Sequence, residues 1–335
     1  MKLLFILGLL LHSFSLDSVR TDLCSDDNIH VETIFEIGTV QSLMISREGD
    51  LLSEYFRGNM SADRKVNIKS ASKSILSLLI GIAIDHGYID GVHVTLGAFF
   101  PGYFAQYPDP VKESITLMDL LTMRSGLETT SFRNYGRWVL SNNWTEYAIS
   151  QPLITDPGSR MVYSTGTSHL LSVILTNATE MSTRAFADRY LFGPLGIRAG
   201  GWDRDPQGFY MGGNNMALSP ADLIKIGELM MDTGVYKGER IVSRKWVLES
   251  TRIYTQSNFN PYNYGYMWWR KNVSGTEVFF AWGNGGQYIF MLPDYDSVIS
   301  VTSALRSGGS RNYQREIFTY LENTLLPYLS CIEKI

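Results

Sequence analysis

The chain has 335 residues, 44% of them hydrophobic and 19% charged, with a formal net charge of −4. That is a globular composition, long enough for a substantial core in one large domain or two interleaved subdomains. No long basic or acidic block occurs, which argues against a nucleic-acid partner, and the five histidines are scattered, so neither a metal site nor a cofactor is expected.

The first residues read as a secretory signal. Lys2 supplies positive charge, Leu3 to Leu11 is apolar, and His12 to Ser15 is a short, more polar end. The apolar run is too short for an ordinary membrane span. Residues 1–16 are therefore set apart from the fold, and the protein is expected to be secreted or periplasmic. Residues 17–335 form the domain, with an α/β part at about 30–70 and 255–335 and a helical part at about 71–254. The two cysteines, Cys24 and Cys331, lie near opposite ends. In an oxidising compartment they can bridge, provided the termini are neighbours; two unpaired thiols fit the count equally well.

Val40–Ile45 and Leu51–Phe56 flank Arg47-Glu48-Gly49-Asp50, a hairpin pattern. Ser70-Ala71-Ser72-Lys73 then opens a long apolar run, Ile75 to Ile84. A helix apolar on nearly all sides belongs in the centre of the fold. Three residues apart on a helix, Ser70 and Lys73 face the same way. A hydroxyl nucleophile needs an unprotonated base, and a Lys desolvated by apolar neighbours is one. On its own this two-residue pattern is most often solvated helix surface.

Thr116 with Asp119 three residues later is a capping-box pattern, and Ser219-Pro220-Ala221-Asp222 starts a helix with cap, Pro and acid in order. Apolar helices are expected from Ser168 to about Thr176 and around Arg184–Leu191. The period then changes. Tyr264–Arg270, Glu277–Trp282, Gln287–Leu292 and Ser297–Ser303 are aromatic and β-branched, separated by Gly or Asn turns, as in an antiparallel meander. Glu316–Leu326 closes as an amphipathic helix. Strands at both ends with a helical insert imply an α+β fold, one antiparallel sheet built from both chain ends and flanked by helices, plus a mostly helical subdomain.

Over about residues 38–328 the sequence resembles the serine β-lactamase and penicillin-binding-protein superfamily, in particular the class C β-lactamase-related serine hydrolases. Five landmarks fall in the family's order: Ile68–Ser74 at the nucleophile motif, Ile115–Leu127 at I-T-x-x-x-L-L-x-x-x-S-G-L, Asp156-Pro157-Gly158 through Tyr163-Ser164-Thr165 at P-G…Y-S-N, Phe192–Ile197 at F-x-P-L-G-M, and Ala217–Leu223 at the following helix. The resemblance implies a β-lactamase/transpeptidase-like fold and acyl transfer through Ser70, with Lys73 and Tyr163 moving protons. A tyrosine can share that duty if a cation favours its phenolate, or if it relays a proton without staying ionised.

Two motifs depart from the family. Its third motif, Lys-Thr-Gly or a His variant, corresponds to Ala281-Trp282-Gly283, so Ala281 stands where the cation would be. The Asn284 N–H can still join the Ser70 N–H as an oxyanion hole, and Gly285 and Gly286 can let the backbone approach a substrate. The missing cation, which elsewhere helps to hold a substrate carboxylate, shifts the expectation towards esterases and amidases such as 6-aminohexanoate-dimer hydrolase-like proteins, which have a similar Gly-rich third motif. Thr165 replaces Asn two residues after Tyr163 and keeps a single hydroxyl for Lys73. Among the aromatic residues Trp202, Tyr210, Trp268, Trp269 and Trp282, only Trp282 adjoins the third motif and is expected in the substrate pocket. The leading expectation is an exported serine hydrolase of a small-molecule ester or amide. A β-lactamase or D,D-peptidase and a catalytically weak binding or sensor protein on the same fold are the alternatives.

Overall fold

The computed structural model describes residues 29–304 and 311–332. Residues 1–16 and Cys24 lie outside them, so the signal segment and the Cys24–Cys331 pairing remain expectations. An eight-stranded, wholly antiparallel sheet is the backbone of the fold. Its strands are β1 (Val40–Arg47), β2 (Asp50–Phe56), β3 (Thr255–Gln256), β4 (Asn263–Tyr264), β5 (Trp269–Val273), β6 (Thr276–Gly283), β7 (Gln287–Leu292) and β8 (Ser297–Ser303). The order across the sheet is β2-β1-β8-β7-β6-β5-β4-β3. Both chain ends thus build one sheet, with Leu43 of β1 opposite Val301 of β8. This is the α+β, β-lactamase/transpeptidase-like arrangement that the strand pattern and the resemblance imply.

Every residue of β7 and β8 is buried, because both faces of the sheet are covered. On one face lies α3, Pro220–Met231, started by the expected Ser219/Asp222 capping box. Gly227 lets it settle there; a Cβ at that position would overlap the Val298 side chain. On the other face, Phe318 of α4 (Arg311–Tyr320) packs its ring edge-on against Phe280 at 5.3 Å and Phe290 at 5.6 Å. Such edge-to-face pairs place the positive ring rim on the negative face.

Two further helices carry the site. Helix α1, Ser72–Asp85, has every residue from Ser72 to Ala83 buried, as its apolar run requires. Helix α2, Thr165–Thr179, packs beside it and starts three residues earlier than the sequence suggests, because Ser164 caps it by accepting from the Thr167 N–H.

The expected strand Tyr264–Arg270 is broken. Met267 turns into the left-handed region at φ +64°. Its N–H donates to Leu121 O and its carbonyl accepts from Ser74 Oγ of α1 at 2.6 Å. The excursion ties the sheet to the central helix, a tertiary demand that local pattern does not encode. The closing helix is also longer than expected, with helical structure from Arg311 to Ile332 interrupted by a wider turn at Leu321–Leu325. Among the described residues no helix is long and apolar enough to cross a membrane.

Candidate active site

The short strand Val66–Asn67 pairs with Ala217–Leu218 and delivers the chain to a tight turn, Lys69–Ala71, that runs straight into α1. Asn67 Oδ1 accepts from the Lys69 N–H at 2.9 Å, and the Ile68 N–H donates to Met216 O at 2.9 Å. Ser70 sits in that turn. Lys73 follows in the first turn of α1 and is 1% exposed.

Lys73 Nζ donates to Gly213 O at 2.6 Å and lies 3.3 Å from both Ser70 Oγ and Thr165 Oγ1. Among the described residues no carboxylate faces it. Burial alone lowers its pKa to about 7, so near neutrality a large share of the amine is uncharged. Its Nζ also stands 5.1 Å from the centre of the Tyr163 ring. Burial pushes the Tyr163 phenol up to about 12, and a hydrogen bond with Ser70 offsets part of that rise. The phenol is therefore neutral at working pH.

The surroundings hold this group in place. Ser131 Oγ accepts from the Thr165 N–H at 2.8 Å and pairs with Thr165 Oγ1 at 2.9 Å. Thr129 Oγ1 donates to Tyr163 O at 2.6 Å. The loop bearing Gly213 is fixed from behind by a buried pair, His169 Nε2 with Asp205 Oδ2 at 2.9 Å. His169 Nδ1 accepts from the Gly212 N–H at 3.2 Å, so the imidazole is neutral with its proton on Nε2, donating to Asp205. Gly213 has φ +87°, and a Cβ there would overlap the Lys73 stem. Glycine is the residue that lets the carbonyl come this close.

Ser70, Tyr163, Thr165, Trp282 and Asn284 all line one cavity of about 410 Å³. The end of β6 forms one wall. Gly283 packs directly on Ile68, where a Cβ would overlap the carbonyl oxygen, and this brings the following residue, Asn284, beside the nucleophile turn. Ala281, one pleat earlier, is fully buried and does not line the cavity. Gly285 and Gly286 instead make the turn into β7, at φ +92° and +100°, and do not line it either. Trp268 and Trp269 are both buried, Trp269 stacking beside Tyr163 at 6.0 Å. Trp202 and Tyr210 pack on each other at 5.2 Å, and neither lines the cavity.

Several cavity residues escape sequence reasoning. Ser131, Phe132 and Tyr135 come from the connection after Leu127, and Phe259 from the loop between β3 and β4. Phe132 and Phe259 meet edge-on at 5.5 Å while remaining 62% and 41% exposed, an apolar rim at the mouth. The positive φ of Lys69 (+52°) and Phe132 (+53°) is backbone strain at non-glycine residues, and both line the cavity. Among the described residues, no group of three His, Cys, Asp or Glu is placed to hold a metal.

The Beta-lactamase family matches residues 40–318 of the chain. A 6-aminohexanoate-dimer hydrolase of Paenarthrobacter ureafaciens is 24% identical over 328 aligned residues, spanning 88% of this chain and 80% of that protein. The hydrolase EstCE1, with promiscuous acyltransferase activity, superposes with TM-score 0.72 at 17% identity, over 92% of this chain and 99% of its own. The octameric penicillin-binding protein homologue from Pyrococcus abyssi superposes with TM-score 0.68 at 19% identity, over 93% of this chain and 78% of its own.

Proposed function

The chain belongs to the Beta-lactamase family and is a serine hydrolase, and we propose that it cleaves a carboxylic ester or amide through a Ser70 acyl-enzyme. The observation that carries this reading is the buried Lys73 amine 3.3 Å from Ser70 Oγ, with no carboxylate among the described residues to hold it charged. As a free base it spends two N–H groups on Gly213 O and Thr165 Oγ1 and keeps its lone pair for the Ser70 hydroxyl. Lys73 takes the Ser70 proton as Oγ bonds to the substrate carbonyl carbon. The Ser70 and Asn284 N–H groups stabilise the oxyanion. Tyr163, kept neutral, relays a proton to the leaving alcohol or amine as its bond to carbon breaks, and is reprotonated from Lys73. Water then attacks the acyl carbon, giving its proton back along the same route and releasing Ser70 and a carboxylic acid.

The aromatic walls of the cavity favour an apolar acyl or leaving group. The ester and amide class is the one suggested by the relative named a 6-aminohexanoate-dimer hydrolase and by the neighbour described as a hydrolase with promiscuous acyltransferase activity. Export, read from Lys2 and the Leu3–Leu11 run, belongs to the same proposal; N-terminal sequencing of protein recovered outside the cytoplasm would locate a cleavage near residue 16.

The test is labelling by a fluorescent phosphonate beside a penicillin probe, followed by turnover of short-chain 4-nitrophenyl esters, with Ser70→Ala as control. Phosphonate labelling and ester turnover that vanish in Ser70→Ala are expected. No reaction at Ser70 with any probe would reject the catalytic reading in favour of a binding protein, and efficient penicillin turnover would move the substrate class to β-lactams.

A further inference from the structure

The cavity wall carries a cation that neither the nucleophile chemistry nor the third motif accounts for. Lys69 lines the cavity directly before the nucleophile, and no Asp or Glu lines it with Lys69. Its Nζ makes one long contact, donating to Asn215 Oδ1 at 3.4 Å. That oxygen is already engaged by Asn67 Nδ2 at 3.0 Å. The nearby Asp203 carboxylate is turned to the other end of the same amide, accepting from Asn215 Nδ2 at 2.8 Å. Among the described residues no carboxylate lies within 4 Å of Lys69 Nζ; the ion pairs seen among them are elsewhere, as in Lys65 with Asp222.

The placement has a cost. Lys69 holds a left-handed φ of +52°, which disfavours a residue with a Cβ. The Asn67 side chain secures that conformation by accepting the Lys69 N–H. A strained backbone holds an ammonium at the edge of an otherwise neutral and aromatic cavity, with most of its hydrogen-bonding capacity unspent. The missing partner has the chemistry of an anion that enters with the substrate. Sheet strand β6 cannot meet it, since Ala281 is buried and apolar.

We propose that Lys69 is a specificity-determining residue that binds a carboxylate carried by the ester or amide substrate, so that anion recognition sits on the nucleophile turn and not on the sheet. The inference rests on the serine-hydrolase reading above and narrows it to amphipathic substrates, with an apolar part against Phe132, Phe259 and Trp282 and a carboxylate towards Lys69.

Matched ester pairs test it: 4-nitrophenyl hexanoate against mono-4-nitrophenyl adipate, which places the carboxylate on the acyl side, and phenyl acetate against 4-carboxyphenyl acetate, which places it on the leaving group. The ratio of kcat/KM within each pair is compared among wild type, Lys69→Met and Lys69→Arg, which cancels differences in intrinsic ester reactivity. In at least one pair the wild-type ratio should exceed that of Lys69→Met by about twofold to fivefold, as expected of a partly exposed ion pair. The difference should lie in KM, shrink with added salt, and be restored in Lys69→Arg. Equal ratios in wild type and Lys69→Met for both pairs would overturn the inference while leaving the hydrolase reading standing. Absence of turnover of all four esters, with no phosphonate label on Ser70, would remove both.

Discussion

Two lysines four residues apart live in opposite worlds. Lys73 is buried, touches only dipoles and loses its charge near neutrality. Lys69 stands on the cavity wall, on a strained backbone, and stays available to an incoming ion. The floor around Lys73 is polar and fully engaged, each group held by a second one: Thr165 by Ser131, Gly213 by the loop that His169 anchors. The rim around Lys69 is aromatic and half open. Under the proposed function, burial lets Lys73 serve as the base at the floor, while the rim bears on the choice of substrate.

The largest effect that would sharpen this division is at the floor. Lys73→Met should lower kcat/KM for 4-nitrophenyl acetate by about a thousandfold, since a general base is lost. In the wild type, kcat/KM should rise with pH through about 7 as Lys73 deprotonates. The sign for stability follows from the same shift. The folded-state value lies below 10.5, so between about pH 7 and 10.5 the unfolded chain binds more protons and this lysine's contribution to stability rises with pH. At pH 7 Lys73→Met should therefore raise the unfolding free energy, by about 1–3 kcal/mol in urea titrations. A loss of both activity and stability would mean that the amine is held charged, and the contrast with Lys69 would fail.

Next comes Gly283→Ala. Its Cβ overlaps the Ile68 carbonyl, so β6 must move away from the nucleophile turn. A loss of about a hundredfold in kcat is expected, the order seen when one oxyanion donor is withdrawn, with phosphonate labelling slowed in proportion. Unchanged kcat would show that the Asn284 N–H takes no part.

Thr165→Val is smaller. It strips Lys73 and Ser131 of a hydroxyl partner, and about a tenfold loss in kcat with an altered midpoint of the pH profile is expected. The mildest is Phe132→Ala at the rim. It should raise KM for a hexanoate ester by about threefold to tenfold with kcat little altered, because one exposed ring leaves the wall. A change in kcat instead would place the rim in the chemistry and erase the floor–rim distinction.

The parts legible in the sequence were those specified by local chemistry. The apolar run from Ile75 to Ile84 is the central helix, and the Thr116/Asp119 and Ser219/Asp222 capping boxes both form. Strands β7 and β8 begin and end where β-branched residues give way to turn residues. The cavity residues from irregular chain were not legible. Ser131 and Phe259 have no periodic neighbours, and what brings them to Tyr163 is long-range packing. His169 looked like one of several scattered histidines because its partner, Asp205, is 36 residues away. Lys69 is inconspicuous in the sequence for a related reason. Reading by motif directs attention to the position where a cation is missing, Ala281, and a charge that reaches the cavity from the nucleophile turn has no sequence signal of its own.

The sheet order also bears on how the protein comes into being. Strand β1 is sandwiched between β2 and β8, and Ser42 Oγ meets Thr302 Oγ1 across 260 residues of chain. During synthesis β1 emerges early and waits, one edge unpaired, for a strand made near the end. Pairing of this range is slow, and an exposed apolar edge invites association with other chains in the interval. The wall formed by β6 cannot be fixed against the nucleophile turn until β7 and β8 have joined it to β1. A nascent or truncated chain therefore lacks the β6 wall that stands beside Ser70 and Lys73 in the finished fold.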